Sequence, residues 1–164
     1  MLLKKGGDGF MKDAKYLYTI LLVNGFIALR RGSGKIIGGK FTGTLEATLT
    51  KFASENPSPT VKDLLTNTAI PSFQILGFLT TWGEFLVGIS VIAAAFYLIV
   101  VSKNNRNIDL LLTLGLLGGF MLNFVFYFSA GWTSASTESL NLLMMIIQAI
   151  GLVFVLKKYY QKTR

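Results

Sequence analysis

The sequence predicts an all-α integral membrane protein: a four-helix transmembrane bundle with a helical outer connection between spans one and two. Three observations predict it. The 164 residues are 52% hydrophobic and only 15% charged, with a mean hydropathy of +0.55, whereas an ordinary soluble domain carries about a quarter charged residues. Four segments reach, or nearly reach, the length that crosses about 30 Å of hydrocarbon at 1.5 Å per residue. The alternating segments of about ten residues that build a membrane β-barrel are missing.

Taken in order, the polar, Gly-rich start "MLLKKGGDGF" reads as a disordered cytoplasmic tail over residues 1–13, ahead of one membrane domain over 14–164. The first span covers about 16–37 and is purely apolar only as far as Leu29. Arg30-Arg31 stands where a signal peptide would carry small residues for cleavage, so this segment reads as a retained span. The outer segment 38–72 is too long for a plain loop. Phe41, Leu45, Leu49 and Phe52 recur in it at helical spacing, which predicts an amphipathic helix lying on the membrane. "NPSP" breaks that helix. Ser58 then caps a second, short helix with Pro59 in its first turn and Val61, Leu64 and Leu65 on its apolar face, and Pro71 ends it. Spans two, three and four cover about 75–101, 108–131 and 140–156, with no internal repeat and no low-complexity tract.

Lysine and arginine set the orientation. Lys4, Lys5, Lys12, Lys15, Lys103, Arg106, Lys157, Lys158, Lys162 and Arg164 fall on one side, while the connection between spans three and four carries no basic residue. Both termini of this multi-pass cell-membrane protein therefore face the cytoplasm. Tyr16, Tyr18, Tyr159 and Tyr160 mark the inner interface, and Phe73 and Trp132 the outer one.

The net charge of +8 does not indicate a nucleic-acid partner, because the basic residues flank apolar runs instead of forming a stripe interleaved with aromatics. Cysteine and histidine are both absent. The chain therefore supplies no thiol relay, no iron–sulfur ligands and none of the usual haem or copper ligands. Any redox role has to run through a quinone or through other membrane subunits of a complex.

Each span carries a polar side chain at comparable depth. Counted from the outer ends, Arg31, Glu84, Asn123 and Gln148 all lie about 9–14 Å inward. A carboxylate at such depth needs a cationic partner, for which Arg30 and Arg31 are the candidates. Asn24, Arg31 and Lys35 follow at i, i+7 and i+11, hence on one helical face. The picture is an outer-leaflet pocket in which one cation neutralises Glu84 and the surplus charge attracts a small inorganic anion or a quinone head. The small residues of "GSGK" and "IIGGK" permit close helix approach. Plainer roles stand beside these. Arg30 and Arg31 also suit a short span with snorkelling heads. Asn123 and Gln148 also suit interhelical hydrogen bonding, and Trp132 suits an interface anchor. A non-catalytic accessory or scaffold subunit would need no site at all. A small proton-coupled transporter would also use one carboxylate, but four spans without an inverted repeat are few for alternating access.

The segments "GKIIGGKF", "NPSP…AIP", "WGEFLVG" and "NFVFYFSAGWTSASTESLNLLMMI" resemble the DoxX/DoxD group of small four-helix membrane proteins, over nearly all of residues 26–156. The last stretch is particularly similar to the DoxD type, the membrane subunit of archaeal thiosulfate:quinone oxidoreductase. The resemblance implies oxidation of thiosulfate to tetrathionate at the outer face, with electrons passed to a membrane quinone. It maps the family's intramembrane glutamate onto Glu84 as the catalytic carboxylate. It maps the basic end of the first helix onto Arg31 and Lys35, and the Gly-Trp-Thr/Ser segment onto Gly131, Trp132 and Thr133.

Overall fold

This computed structural model describes the backbone of residues 6–101 and 105–162 and the side chains of 14–101 and 105–158. Its helices are α1 (Gly6–Gly38), α2 (Phe41–Glu55), α3 (Pro59–Leu64), α4 (Phe73–Val100), α5 (Arg106–Ala130) and α6 (Ala135–Lys162). A π-helical turn, Leu65–Ala69, follows α3, and a 3-10 turn, Gly131–Thr133, joins α5 to α6. No strand occurs among the described residues.

Three helical stretches are long and apolar enough to cross a membrane: Phe73–Val100, Arg106–Thr133 and Ala135–Lys158. α1 has the length but is not among them, since Arg30 and Arg31 interrupt its apolar run. Its described backbone is helical from Gly6, and residues 1–5 of the expected tail lie outside the described ones. Once α1 has nucleated, each further residue adds a hydrogen bond at little cost, and Met11, Lys12, Ala14 and Lys15 are good helix formers. α6 starts about five residues early. The Ser134 hydroxyl accepts the Thr137 N–H at 3.1 Å and caps the helix ahead of its apolar run.

The four long helices alternate in direction. α1 packs along α4, α4 against α5 and α5 against α6, while α6 touches α1 only lightly. Their shared core includes Leu21 and Ala28 of α1, Val87, Val91 and Ala94 of α4, Leu112 and Leu116 of α5, and Met144 and Val155 of α6. α1 and α4 cross backbone to backbone. A Cβ on Gly32 would overlap the Phe85 backbone, and one on Gly88 the Leu29 backbone, so glycine is what permits the approach. α1 stops where Gly39 adopts φ +63° and donates its N–H to the Lys35 carbonyl at 3.2 Å, a left-handed cap.

α2 and α3 fold over this end of the molecule. Leu45, Leu49 and Ala53 of α2 and Leu65 of the π-turn form a second small core against Phe73 and Leu76 of α4. Ser58 accepts the Val61 N–H at 3.4 Å and caps α3. Asn56 donates to the Ser129 carbonyl at 3.4 Å, fastening the end of α2 to α5. At the opposite end, Lys158 of α6 pairs with buried Asp109 of α5 at 2.7 Å.

Candidate functional site

A chain of polar side chains runs across all four long helices at the covered end, and helix register puts it there. Arg31 and Lys35 stand one turn apart on α1, facing Glu84 of α4. Glu84 Oε2 accepts a 2.5 Å hydrogen bond from Lys35 Nζ, and its Oε1 lies 3.4 Å from Arg31 Nε. The same guanidinium reaches past the carboxylate. It donates to Asn123 Oδ1 on α5 and Asn141 Oδ1 on α6, both at 3.3 Å, and touches Met144 Sδ at 3.7 Å. Asn123 in turn donates to the Gly119 carbonyl at 2.9 Å and to Gln148 Oε1 at 3.1 Å. Gln148 donates to Asn24 Oδ1 at 2.9 Å, and Asn24 to the Met144 carbonyl at 3.4 Å. Asn24, Glu84, Asn123, Asn141 and Gln148 are buried. Gly119 is what gives Gln148 room, since a Cβ there would press on its amide.

The charges do not balance locally: two cations meet one carboxylate, leaving one positive charge. Exposure decides which sign a ligand meets. The side chain of Glu84 is 4% exposed, but those of Arg31 and Lys35 are 28% and 18% exposed. The accessible face of the cluster is therefore cationic. Aromatic rings frame it. Lys35 Nζ lies 4.5 Å from the Phe41 ring centre and 5.2 Å from that of Phe126, and Arg31 Cζ is 5.2 Å from Phe126. Glu84 Oε1 and Thr81 Oγ1, one turn apart on α4, have no hydrogen-bond partner among the described residues.

Among the described residues, both cations line each of two sizeable cavities. One, of about 370 Å³, lies under α2 between α4 and α5. Its walls are mainly apolar, including Phe41, Leu45, Phe52 and Leu76, and Arg31 and Lys35 close one end. The other is an open groove of about 710 Å³ between the C-terminal part of α1 and the start of α6.

The structure thus brings together Asn24, Arg31, Lys35, Glu84, Asn123 and Gln148, and leaves two candidates aside. Arg30 is exposed and lines the open groove, and the described partners of Glu84 are Arg31 and Lys35. Trp132 lies outside the walls of both cavities. The 3-10 turn swings its ring edge-on to Phe52 at 6.3 Å, and its indole N–H donates to the Ser129 carbonyl at 3.0 Å, so it fastens α2 to the end of α5. Asn141, Phe126 and Phe41 are site residues that the sequence reading did not single out for the site. Asn141 precedes Gln148 by two turns and Phe126 follows Asn123 by three residues, and those spacings were the available signal. No group of three or more histidine, cysteine, aspartate or glutamate side chains suited to a metal occurs among the described residues.

No family model matches the chain, and no curated protein or solved structure is measurably similar to it. The geometry is therefore the main guide to function. It offers an apolar chamber that ends on two hydrogen-bond-donating cations, with a sealed carboxylate behind them.

Proposed function

We propose that the chain is a membrane subunit of a quinone-linked oxidoreductase, of the kind implied by its resemblance to DoxX/DoxD proteins, and that the chamber under α2 binds the quinone head. In this reading α1 is the fourth span. Its cations enter lipid only because α4 supplies Glu84, and α2–α3 cover the outer end. The observation that carries the reading is the 370 Å³ chamber itself. Its size falls within the roughly 300–1,000 Å³ of small-molecule sites, and such sites combine apolar walls with a few placed polar groups.

The residues divide the work by chemistry. Phe41, Leu45, Phe52 and Leu76 enclose an apolar ring, while Lys35 and Arg31 donate hydrogen bonds to a carbonyl oxygen or to a small oxyanion such as thiosulfate. Glu84, paired with both cations from behind, is in this reading the group that takes or relays the proton. A bound quinone supplies a two-electron acceptor. The chain, which has no cysteine or histidine, relies on the donor or on a partner subunit to deliver the electrons.

Binding of a short-chain quinone to the purified protein tests this. Arg31→Ala and Lys35→Ala should each weaken binding by roughly tenfold or more, the usual worth of a hydrogen bond to a charged group, and Arg30→Ala should leave it unchanged. Absence of quinone binding by the unmodified protein would overturn the reading. So would unchanged thiosulfate-dependent quinone reduction, in membranes holding the whole complex, after Glu84→Gln and Arg31→Ala.

A second reading, a non-catalytic accessory subunit, is favoured by one observation. Phe120, Phe124 and Phe128 stack along α5, and the last two are exposed, giving a face suited to a neighbouring membrane helix. Release of the chain from its complex without loss of that complex's activity would count against both readings.

A further inference from the structure

We infer that the open groove between α1 and α6 binds the anionic phosphate headgroup of a membrane phospholipid. The groove measures about 710 Å³, and four cations line it: Arg30, Arg31, Lys35 and Lys40. No acidic residue lies among its lining residues. Glu84 engages Lys35 and Arg31 from the α4 side, so Arg30 and Lys40, both exposed, bring charge that nothing in the groove offsets. The floor is glycine. A Cβ built on Gly34 or Gly38 would meet nothing within 4 Å, so the space is open down to the helix backbone.

What distinguishes a lipid from a free anion is the surface that continues beyond the cations. Ile27 and Leu140 border the groove. Val23 and Ile20, one and two turns back along α1 from Ile27, are exposed apolar side chains, as is Leu143 one turn along α6 from Leu140. Cations at the mouth and an apolar strip running away from them match a phosphate head with its acyl chains. Basic side chains near an anionic lipid surface each contribute attraction. Arg30 and Lys40 lie outside the chamber under α2, so this inference stands or falls apart from quinone binding.

Native mass spectrometry of the full chain in detergent, with phosphatidylglycerol or phosphatidylcholine of identical acyl chains, tests it. The expected result is retention of phosphatidylglycerol over phosphatidylcholine. Combined Arg30→Ala and Lys40→Ala substitution should weaken that retention about 30-fold, the worth of two basic groups at such a surface, with quinone binding intact. Gly34→Leu, which fills the groove and leaves every charge in place, should weaken it as well. Equal retention of the two lipids would overturn the inference, as would full retention by both variants. Displacement of phosphatidylglycerol by millimolar inorganic phosphate would also overturn it, assigning the groove to a free anion.

Discussion

Arg30 and Arg31 are neighbours in the chain with different fates. Successive residues on a helix are turned about 100° from each other, so Arg31 points into the Glu84 cluster while Arg30 faces the open groove. Sequence could not choose between them as partners of Glu84, because the choice depends on how α1 is rotated against α4. Lys35 was legible, since it shares a face with Asn24 and Arg31, but its direct bond to Glu84 was not, because that depends on the height at which the helices cross. Glu84→Gln should leave two buried or half-buried cations without their counter-charge and lower stability by roughly 3–5 kcal/mol, read by denaturant unfolding in micelles. Arg30→Ala should stay within about 0.5 kcal/mol, and equal effects from the two variants would refute the pairing. Gln148→Leu should cost about 1–3 kcal/mol, since Asn24 and Asn123 would each lose a buried partner.

At the scale of helices, the placement of α4 and α5 was plain from their apolar runs, and the two short helices of the cover from Ser58, Pro59 and the 41–52 spacing. The early start of α6 was not, because hydropathy marks where lipid would begin, whereas a cap such as Ser134 marks where the helix begins. The crossing of α1 and α4 rests on Gly32 and Gly88, which composition shows only as small residues in apolar surroundings. Gly88→Val should wedge the two helices apart and pull Lys35 away from Glu84. Its effect on quinone affinity should then match that of Lys35→Ala, although the substitution touches no ligand. Normal affinity in Gly88→Val would show that the chamber does not need this crossing.

For the molecule as a whole, orientation is the expectation that the basic residues set, and labelling tests it. The chain has no cysteine, so a single introduced one reports cleanly. In intact cells a membrane-impermeant maleimide should label Thr50→Cys on the cover and spare Asn107→Cys at the far end, and the reverse pattern would invert the topology. The ion pairs at the two ends of the molecule also differ in what they ask of assembly. Lys158 and Asp109 join α5 to α6, so that hairpin carries both members of its own buried pair. α1 has no acid of its own opposite Arg31 and Lys35 and borrows one from α4, which is synthesised after it. Among the four long helices, the first in chain order thus carries charge that is matched only once α4 has been made.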